Sequence, residues 1–261
     1  MDEFNLDDYK NHICIIGTLL LIVIIWYSYS LDISQNIPLH DKYTYGVVLC
    51  CYNRPGYLEQ TLQSLKESNL DNTVICIIDD HSTDEGTVKL INNYFIPGVK
   101  IIKIRNDTNI GINHSLYKGF TTIYPLCEYM TNIDSDVILK PHWLKTLYDT
   151  YESASSYKNG YIITGFNCVQ SCNHKIIKSY PEFHVKQSIG GINMFFDKNI
   201  YDKIFREVLS KSPKNYGWDW NVVYKANSMN IVLLSTNPSV IQHIGYEGLN
   251  ADGDPDIAED Y

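Results

Sequence analysis

Strand-like runs in this chain alternate with segments of helical spacing, and that alternation limits the available folds more than any other feature. The runs Tyr45 to Cys51, Val74 to Ile78, Val99 to Ile104 and Glu128 to Ile133 have the residue types of strands. Between the first two, Leu58, Leu62 and Leu65 recur at i, i+4 and i+7; Leu116, Phe120 and Ile123 repeat that spacing before the fourth. Ser82 followed by Glu85 reads as a capping box that opens the helix after the second strand. Parallel neighbours in a sheet need a long crossover, and a helix is the usual one. The pattern therefore predicts an α/β domain with a mostly parallel sheet and helices on both faces. No internal repeat or low-complexity linker interrupts residues 42–250, which read as one domain.

Charge and hydropathy set the ends apart. Acidic residues outnumber basic ones by 30 to 21, for a formal charge of −9. The excess lies in Asp2, Glu3, Asp7 and Asp8 and in Asp252, Asp254, Asp256, Glu259 and Asp260. The body is left near neutral, without the basic field that nucleic-acid binding requires, so a nucleic-acid partner is excluded. Residues 1–12 and 251–261 read as solvated acidic tails.

Residues 13–31 carry no charge, and as a helix they would span about 28 Å, close to the thickness of a bilayer's hydrocarbon core. Trp26, Tyr27 and Tyr29 cluster at one end, where aromatic rings favour the interface. The leader is acidic and no small-residue cleavage site follows, so the stretch is expected to be a retained signal-anchor rather than a cleaved peptide. The expectation is a single-pass membrane protein with residues 32–41 as linker; one lysine on each side, Lys10 and Lys42, leaves the orientation open.

Of seven cysteines, Cys14, Cys50, Cys51 and Cys76 lie in apolar runs and read as small hydrophobes. Cys168, Cys172 and nearby His174 offer three metal-ligand types in one loop, but no second Cys or His pair completes a tetrahedral zinc set. The pair reads as a local disulfide or as two free thiols.

In a parallel α/β sheet, ligands bind beyond the carboxyl ends of the strands. The residues there are Tyr52-Asn53-Arg54, Asp79-Asp80-His81-Ser82, Arg105-Asn106-Asp107 and Asp134-Ser135-Asp136. Any one of these could be a turn with a helix cap. Two acidic clusters on one sheet edge ask for more. Asp134 and Asp136, two residues apart, bring two carboxylates close together, and such a pair repels unless a cation such as Mg²⁺ or Mn²⁺ neutralises it. Such an ion completes its shell with substrate phosphates, which points to a nucleoside diphosphate. The chain has no GxxxxGK[ST] loop, no GxGxxG after the first strand and no GxSxG elbow. P-loop, dinucleotide-binding and serine-hydrolase readings lose their support.

Taken in order, these segments resemble the family 2-like glycosyltransferases with the GT-A fold. VVLCCYNRPGYLEQTLQSL is similar to the opening of that family, VICIIDDHSTDEGT to its second strand and turn, and Asn109-Ile110-Gly111 to its N-x-G helix start. MTNIDSDVILKPHWL resembles the metal-binding D-x-D, IGGINMFFDKNIYDKI the acceptor-side strand, and NYGWDWNVV with VIQHIG the late catalytic acid and terminal histidine. The resemblance implies a membrane-anchored, metal-dependent, inverting hexosyl- or N-acetylhexosaminyltransferase. Its donor would be a UDP- or GDP-linked sugar and its acceptor a carbohydrate or other hydroxyl. Cys50, Tyr52, Asn53, Arg54, Asp80, Asn109 and Asp134 would contact the donor, with Asp80 accepting from the base. Asp134, Asp136 and His243 would hold Mn²⁺ or Mg²⁺. Asp219 would be the base, and Gly190, Gly191, Trp218 and Trp220 would face the acceptor, the two indoles partly desolvating Asp219.

Other readings stand beside these. Trp218 and Trp220 could be core anchors, and His243, in the alternating SVIQHIG, a hydrogen-bonded core histidine. The metal turn lacks a third acid found in many relatives, and Trp-Asp-Trp stands where a Glu-Asp pair is common. Sugar-phosphate nucleotidyl transfer would need a Gly-rich basic loop after the first strand, where only Arg54 is present. An inactive scaffold that binds a nucleotide or glycan would not need all four of Asp80, Asp134, Asp136 and Asp219. The sequons at Asn106 and Asn113 fall beside the expected donor site, where a glycan would be obstructive.

Overall fold

β1 (Tyr43–Cys51) lies deep in a nine-stranded sheet, with β2 (Thr73–Asp79) on one side and β4 (Cys127–Ile133) on the other, both parallel to it. The computed structural model describes residues 42–170, 172–214, 217–246 and 256–261. The expected anchor at 13–31, with the leader 1–12 and linker 32–41, lies outside the described residues. Among the described residues no helix is long and apolar enough to cross a membrane.

Successive side chains of β1 point to opposite faces, as strand geometry requires. Val47, Leu49 and Cys51 enter one apolar layer with Leu58, Leu62 and Leu65, while Val48 and Cys50 enter the other with Leu116, Phe120 and Ile123. The first three leucines belong to α1 (Pro55–Lys66), and the second set to α3 (Ile112–Ile123). Between them in sequence lie α2 (Glu85–Asn93) and β3 (Lys100–Arg105), which pairs in parallel with β2. Burial on both faces explains why β1 and β2 read as continuous apolar runs rather than alternating ones.

The capping box expected at Ser82 and Glu85 is not the helix start. Asp84 caps α2, accepting the Thr87 N–H at 2.7 Å, because the Ser82 hydroxyl is already taken by the Asn53 N–H at 2.9 Å.

Beyond β4 come β5 (Val137–Leu139), α4 (Trp143–Ser153), β6 (Tyr161–Thr164), β7 (Ile176–Ser179), β8 (Phe183–Lys186) and β9 (Phe195–Asp197). A helical stretch follows: α5 (Lys198–Ile200), a π-helical turn at Tyr201–Phe205, and α6 (Arg206–Lys211). α7 (Trp218–Ser228), β10 (Val232–Thr236) and β11 (Ile241–His243) complete the order. The sheet runs β3-β2-β1-β4-β9-β6-β10-β8-β7, with β8 and β9 antiparallel to the other strands. This is the expected mostly parallel α/β architecture, with β9 inserted between the two parallel groups. β11 pairs with β5 in a separate two-stranded sheet.

Of the acidic C-terminal stretch, residues 256–261 fold back onto the domain instead of extending into solvent. Ala258 is buried, Glu259 accepts the N–H groups of Val169 and Gln170 at 2.8 and 2.6 Å, and Asp260 accepts from the Ser239 hydroxyl and the Asn167 amide. Charge-assisted bonds of this kind are stronger than neutral ones, which is why these acids dock.

The contact between α3 and β1 depends on a missing side chain. A Cβ added at Gly119 would lie 2.5 Å from Cγ1 of Val48, a fully buried β-branched residue on the central strand. Gly119→Ala gains helix propensity but overpacks this seam, for a net loss of about 1–2 kcal/mol. Thermal unfolding followed by circular dichroism should show Tm lowered by roughly 2–6 °C. An unchanged or higher Tm would contradict the close packing.

Candidate active site

Strand order reverses at β1, since the chain goes to β2 on one side and returns later as β4 on the other. The crevice beyond the carboxyl ends of these strands is where such sheets bind ligands. The loop after β1 enters it in an unusual conformation: Asn53 and Arg54 both have positive φ, 55° and 58°. Two consecutive non-glycine residues in the left-handed region are strained and persist only when the surroundings fix them. Here the Asn53 side-chain oxygen accepts the N–H groups of Thr83 and Asp84 at 2.9 and 3.0 Å, fastening this loop to the one after β2. Pro55 at the start of α1 fixes the following turn. The result directs Arg54 Nη1 to Oδ2 of Asp136, 2.8 Å away.

β11 brings a third group to the same oxygen. Its register places His243 opposite Val137, and the imidazole Nε2 lies 3.5 Å from Asp136 Oδ2. Burial alone would raise the Asp136 pKa, but the His243 hydrogen bond and the Arg54 charge outweigh it and hold the carboxyl below its ordinary value. Asp134, half-buried, shifts the opposite way: desolvation first, then the negative charges of Asp136 and Asp219, push it up against the opposing pull of Arg54. Two neighbouring carboxyls with pKa values driven apart make this corner a candidate functional site. Gly245 completes this corner, since a Cβ there would fall 2.2 Å from Asp136 Oδ2.

Asp219 lies in the first turn of α7, a favourable place for a negative charge. Desolvation raises its pKa, and the backbone N–H groups of Trp220, of Asp219 itself and of Gly191 partly offset the rise. The Gly190-Gly191 loop is held to the end of β4 by buried asparagines. Asn132 donates to the Gly191 carbonyl at 2.6 Å and accepts the Met194 N–H, while Asn193 donates to the Asn132 carbonyl. The Asp134 N–H bonds the Ile192 carbonyl at 3.0 Å.

The structure thus gathers Arg54, Asp134, Asp136, His243 and Asp219 around one crevice. Other expected site residues are buried or partly engaged within the protein. Cys50 is buried in an apolar layer, where burial raises its thiol pKa and leaves the sulfur an inert hydrophobe. Trp218 is 6 % exposed and packs against Gly191, so it cannot stack on an acceptor, whereas Trp220 is 45 % exposed. Asn53 uses its side-chain oxygen within the protein, and Asn109 gives its carbonyl to Lys214.

Asp80, 4 % exposed, already accepts from the Asn106 amide and from the N–H groups of Ile110 and Gly111 at 2.8–2.9 Å. Gly111 has φ 88°, a conformation open to glycine, and it presents its N–H to the carboxylate at the start of α3. A carboxylate has about four lone-pair sites, so about one remains on Asp80 for a ligand. Tyr52 is 37 % exposed. Asp79 holds its turn by accepting from Ser82 and Arg105. The sequon asparagines are buried with their amide nitrogens engaged: Asn106 donates to Asp80 and Ser115, and Asn113 to the carbonyls of Ser212 and Pro213. The folded domain offers neither nitrogen to a glycan.

Cys168 and Cys172 form a disulfide, which removes both sulfurs from any zinc set. His174, two residues on, bonds the Ser188 hydroxyl through Nδ1 at 2.7 Å. Sequence reasoning also missed Tyr57 and Tyr246, whose rings meet edge to face at 5.9 Å, with the Arg54 guanidinium 5.8 Å from the Tyr57 ring. Lone tyrosines in a chain with 21 of them carry no positional signal.

Known proteins share this plan. The family model described as Glycosyl transferase family 2 matches residues 46–209. A Haemophilus influenzae protein described as an uncharacterized glycosyltransferase is 28 % identical over 113 residues, which are 43 % of this chain and 32 % of that protein. The structure is similar to that of S. aureus TarS residues 1–349 in complex with UDP-GlcNAc, with TM-score 0.58, 13 % identity and coverage of 78 % of this chain and 59 % of that one. It is also similar to GalNAc-T7 with UDP, GalNAc and Mn²⁺, with TM-score 0.57, 16 % identity and coverage of 81 % and 45 %. At these identities the structural likeness is one of fold, and the chain spans less than two thirds of each relative's length.

Proposed function

The chain belongs to glycosyl transferase family 2, and from that premise we propose that it moves a sugar from a nucleoside-diphosphate donor to a hydroxyl acceptor, with inversion and with the help of a divalent cation. One observation carries this reading: Arg54 and His243 converge on a single oxygen of Asp136, in a crevice where Asp219 is close enough to raise the Asp134 pKa.

The donor set fits a metal. Asp136 Oδ2 and His243 Nε2 lie 3.5 Å apart near Asp134, and carboxylate and imidazole are donor types that Mn²⁺ or Mg²⁺ would accept. The His243 Nδ1 is buried without a hydrogen-bond partner, so the protein does not commit the ring to a structural bond through that atom. Asp134, Asp136 and His243 would hold Mn²⁺ or Mg²⁺, which stabilises negative charge on a departing diphosphate. The protein's own groups do the rest. Arg54 adds a fixed positive charge beside the diphosphate position. Asp219, partly desolvated, takes the proton from the acceptor hydroxyl across the crevice. The two sides are held in register by Asn132 and Asn193. UDP is the nucleotide expected, because TarS is seen with UDP-GlcNAc and GalNAc-T7 with UDP. The uncharged stretch 13–31 would hold the enzyme at a membrane.

Calorimetric titration of the 261-residue chain with UDP, GDP and CMP, each with and without Mn²⁺, tests the proposal. UDP should bind and Mn²⁺ should tighten it by tenfold or more. If no nucleotide binds under either condition, the transfer reading fails and an inactive scaffold takes its place.

A further inference from the structure

Cys168, Cys172 and Asp256 bring two sulfurs and a carboxylate oxygen within 4.8 Å of one another, and the transfer reaction as proposed uses none of them. Cys168 is buried, while Cys172 and Asp256 are partly exposed and leave the group open to solvent on one side. Only part of this cluster is visible in the sequence. His174, the neighbouring ligand type along the chain, gives its Nδ1 to Ser188, and the third donor comes instead from the C-terminal segment.

That segment is fastened to the same loop a second time. Glu259 accepts the N–H groups of Val169 and Gln170, which lie between the two cysteines, and Ala258 is buried. Asp256 is thus held beside the sulfurs by its neighbours in the chain, as a preorganised ligand needs.

As a disulfide, the cysteines offer no thiolate to a metal. The bond joins positions four apart in sequence, so it removes little entropy from the unfolded chain and suits a reversible role better than that of a staple. We propose that Cys168, Cys172 and Asp256 form a redox-gated zinc site, closed while the Cys168–Cys172 bond is intact and opened by its reduction. A dithiol reductant opens the bond by exchange, giving two electrons and two protons and leaving as its own disulfide. One Zn²⁺ then displaces the two thiol protons. Two thiolates, the Asp256 carboxylate and a water molecule make up a tetrahedral shell.

The chemistry of the donors selects the ion. Thiolates are soft and favour Zn²⁺ over Mg²⁺ or Mn²⁺, which sets this site apart from the corner of Asp134, Asp136 and His243. The Cys172 N–H donates to Cys168 Sγ at 3.0 Å, a bond that strengthens when the sulfur carries charge. Two thiolates beside a carboxylate repel one another, so the thiols keep their protons until a divalent cation replaces them. Tetrahedral zinc holds its sulfurs about 3.8 Å apart, and with Cα atoms 5.5 Å apart side-chain rotation supplies that spacing.

Zinc uptake by the 261-residue chain tests the site. The chain is either oxidised or reduced with a phosphine, which leaves as its oxide; it is then desalted without oxygen, given excess Zn²⁺ and desalted again, and its metal is counted by mass spectrometry. Reduction should add one tightly held Zn²⁺ per chain. Co²⁺ in its place should show a thiolate-to-cobalt charge-transfer band, and only after reduction. Zinc held by the Asp134 corner, or by the free cysteines Cys50, Cys51, Cys76 and Cys127, is common to both redox states and cancels. Replacing both cysteines, Cys168→Ser with Cys172→Ser, should abolish the added equivalent. Asp256→Asn should weaken it by about tenfold or more. This second variant leaves both sulfurs in place and tests the site even if the serine pair fails to fold. Equal zinc in the oxidised and reduced chains, a cobalt band that survives loss of both cysteines, or uptake indifferent to Asp256→Asn would overturn the site. A chain that forms no Cys168–Cys172 disulfide under oxidation would overturn the gate. No arm of the experiment uses a nucleotide, so the result stands apart from the transfer reading.

Discussion

Asp136→Ala is expected to lower kcat/KM for sugar transfer by about 10³-fold, roughly 4 kcal/mol of transition-state stabilisation, and to abolish the enhancement of UDP binding by Mn²⁺. Three things are lost together: a proposed metal ligand, the partner of Arg54, and a charge that, after desolvation, raises the Asp134 pKa. The fold should survive, because Arg54 is partly exposed and water can replace its partner. The folded-state pKa of Asp136 lies below its ordinary value. Its contribution to stability is therefore present above the ordinary carboxylate range and is lost as pH falls through the lowered value. At neutral pH the wild-type group is charged, and the comparison reports on the missing carboxylate alone. Steady-state rates with and without Mn²⁺, alongside a thermal melt, decide the matter. A folded Asp136→Ala enzyme that keeps its metal-dependent rate would sink the metal assignment.

Asp219→Asn should cost about 10²–10⁴-fold in transfer, and the loss should appear mainly in kcat. The amide keeps the size of the side chain and its place at the start of α7 but cannot take a proton. The pH profile is the sharper readout. Because desolvation raises the Asp219 pKa, the wild-type kcat should fall on acidification at a pH above the ordinary carboxylate range. That acidic limb should be missing from whatever activity the Asn variant retains. A wild-type profile that stays flat down to pH 4 would remove Asp219 from the role of base.

β1, β2 and the helices on either face were legible because burial on both sides makes a strand continuously apolar, and because Leu58, Leu62 and Leu65 keep the helical period. The half of the sheet beyond β4 was less so. β9 is three residues long and runs against its neighbours, and nothing in Phe195-Phe196-Asp197 says which strands it joins. Its place is set by Asn132 and Asn193, whose amides substitute for ladder bonds at the end of β4.

Polar residues after strands were the useful signal for the site, since the topology collects strand ends at one edge. That signal does not separate a residue facing the crevice from one holding its wall. Asp136 and Asp80 look alike in sequence, yet the first meets a guanidinium and an imidazole while the second is occupied by two backbone N–H groups and a side-chain amide. Trp218 and Trp220 are two positions apart on a helix, which sends one indole inward and the other out. A pair of cysteines four positions apart fits a local disulfide and two free thiols equally, so the sequence does not choose between them.

The docking of residues 256–261 has a practical consequence for anyone preparing this protein. A chain shortened to residue 250 would strip the acceptor from the N–H groups of Val169 and Gln170. It would also remove Glu259 and Asp260, whose charges act on the buried Lys186 ammonium. An affinity tag fused after Tyr261 would start where that ring packs against Lys140, 4.6 Å from its Nζ. The cut takes the support of Glu259 from the loop that carries the disulfide, so stability and binding measured on such a preparation would reflect the cut as well as the protein.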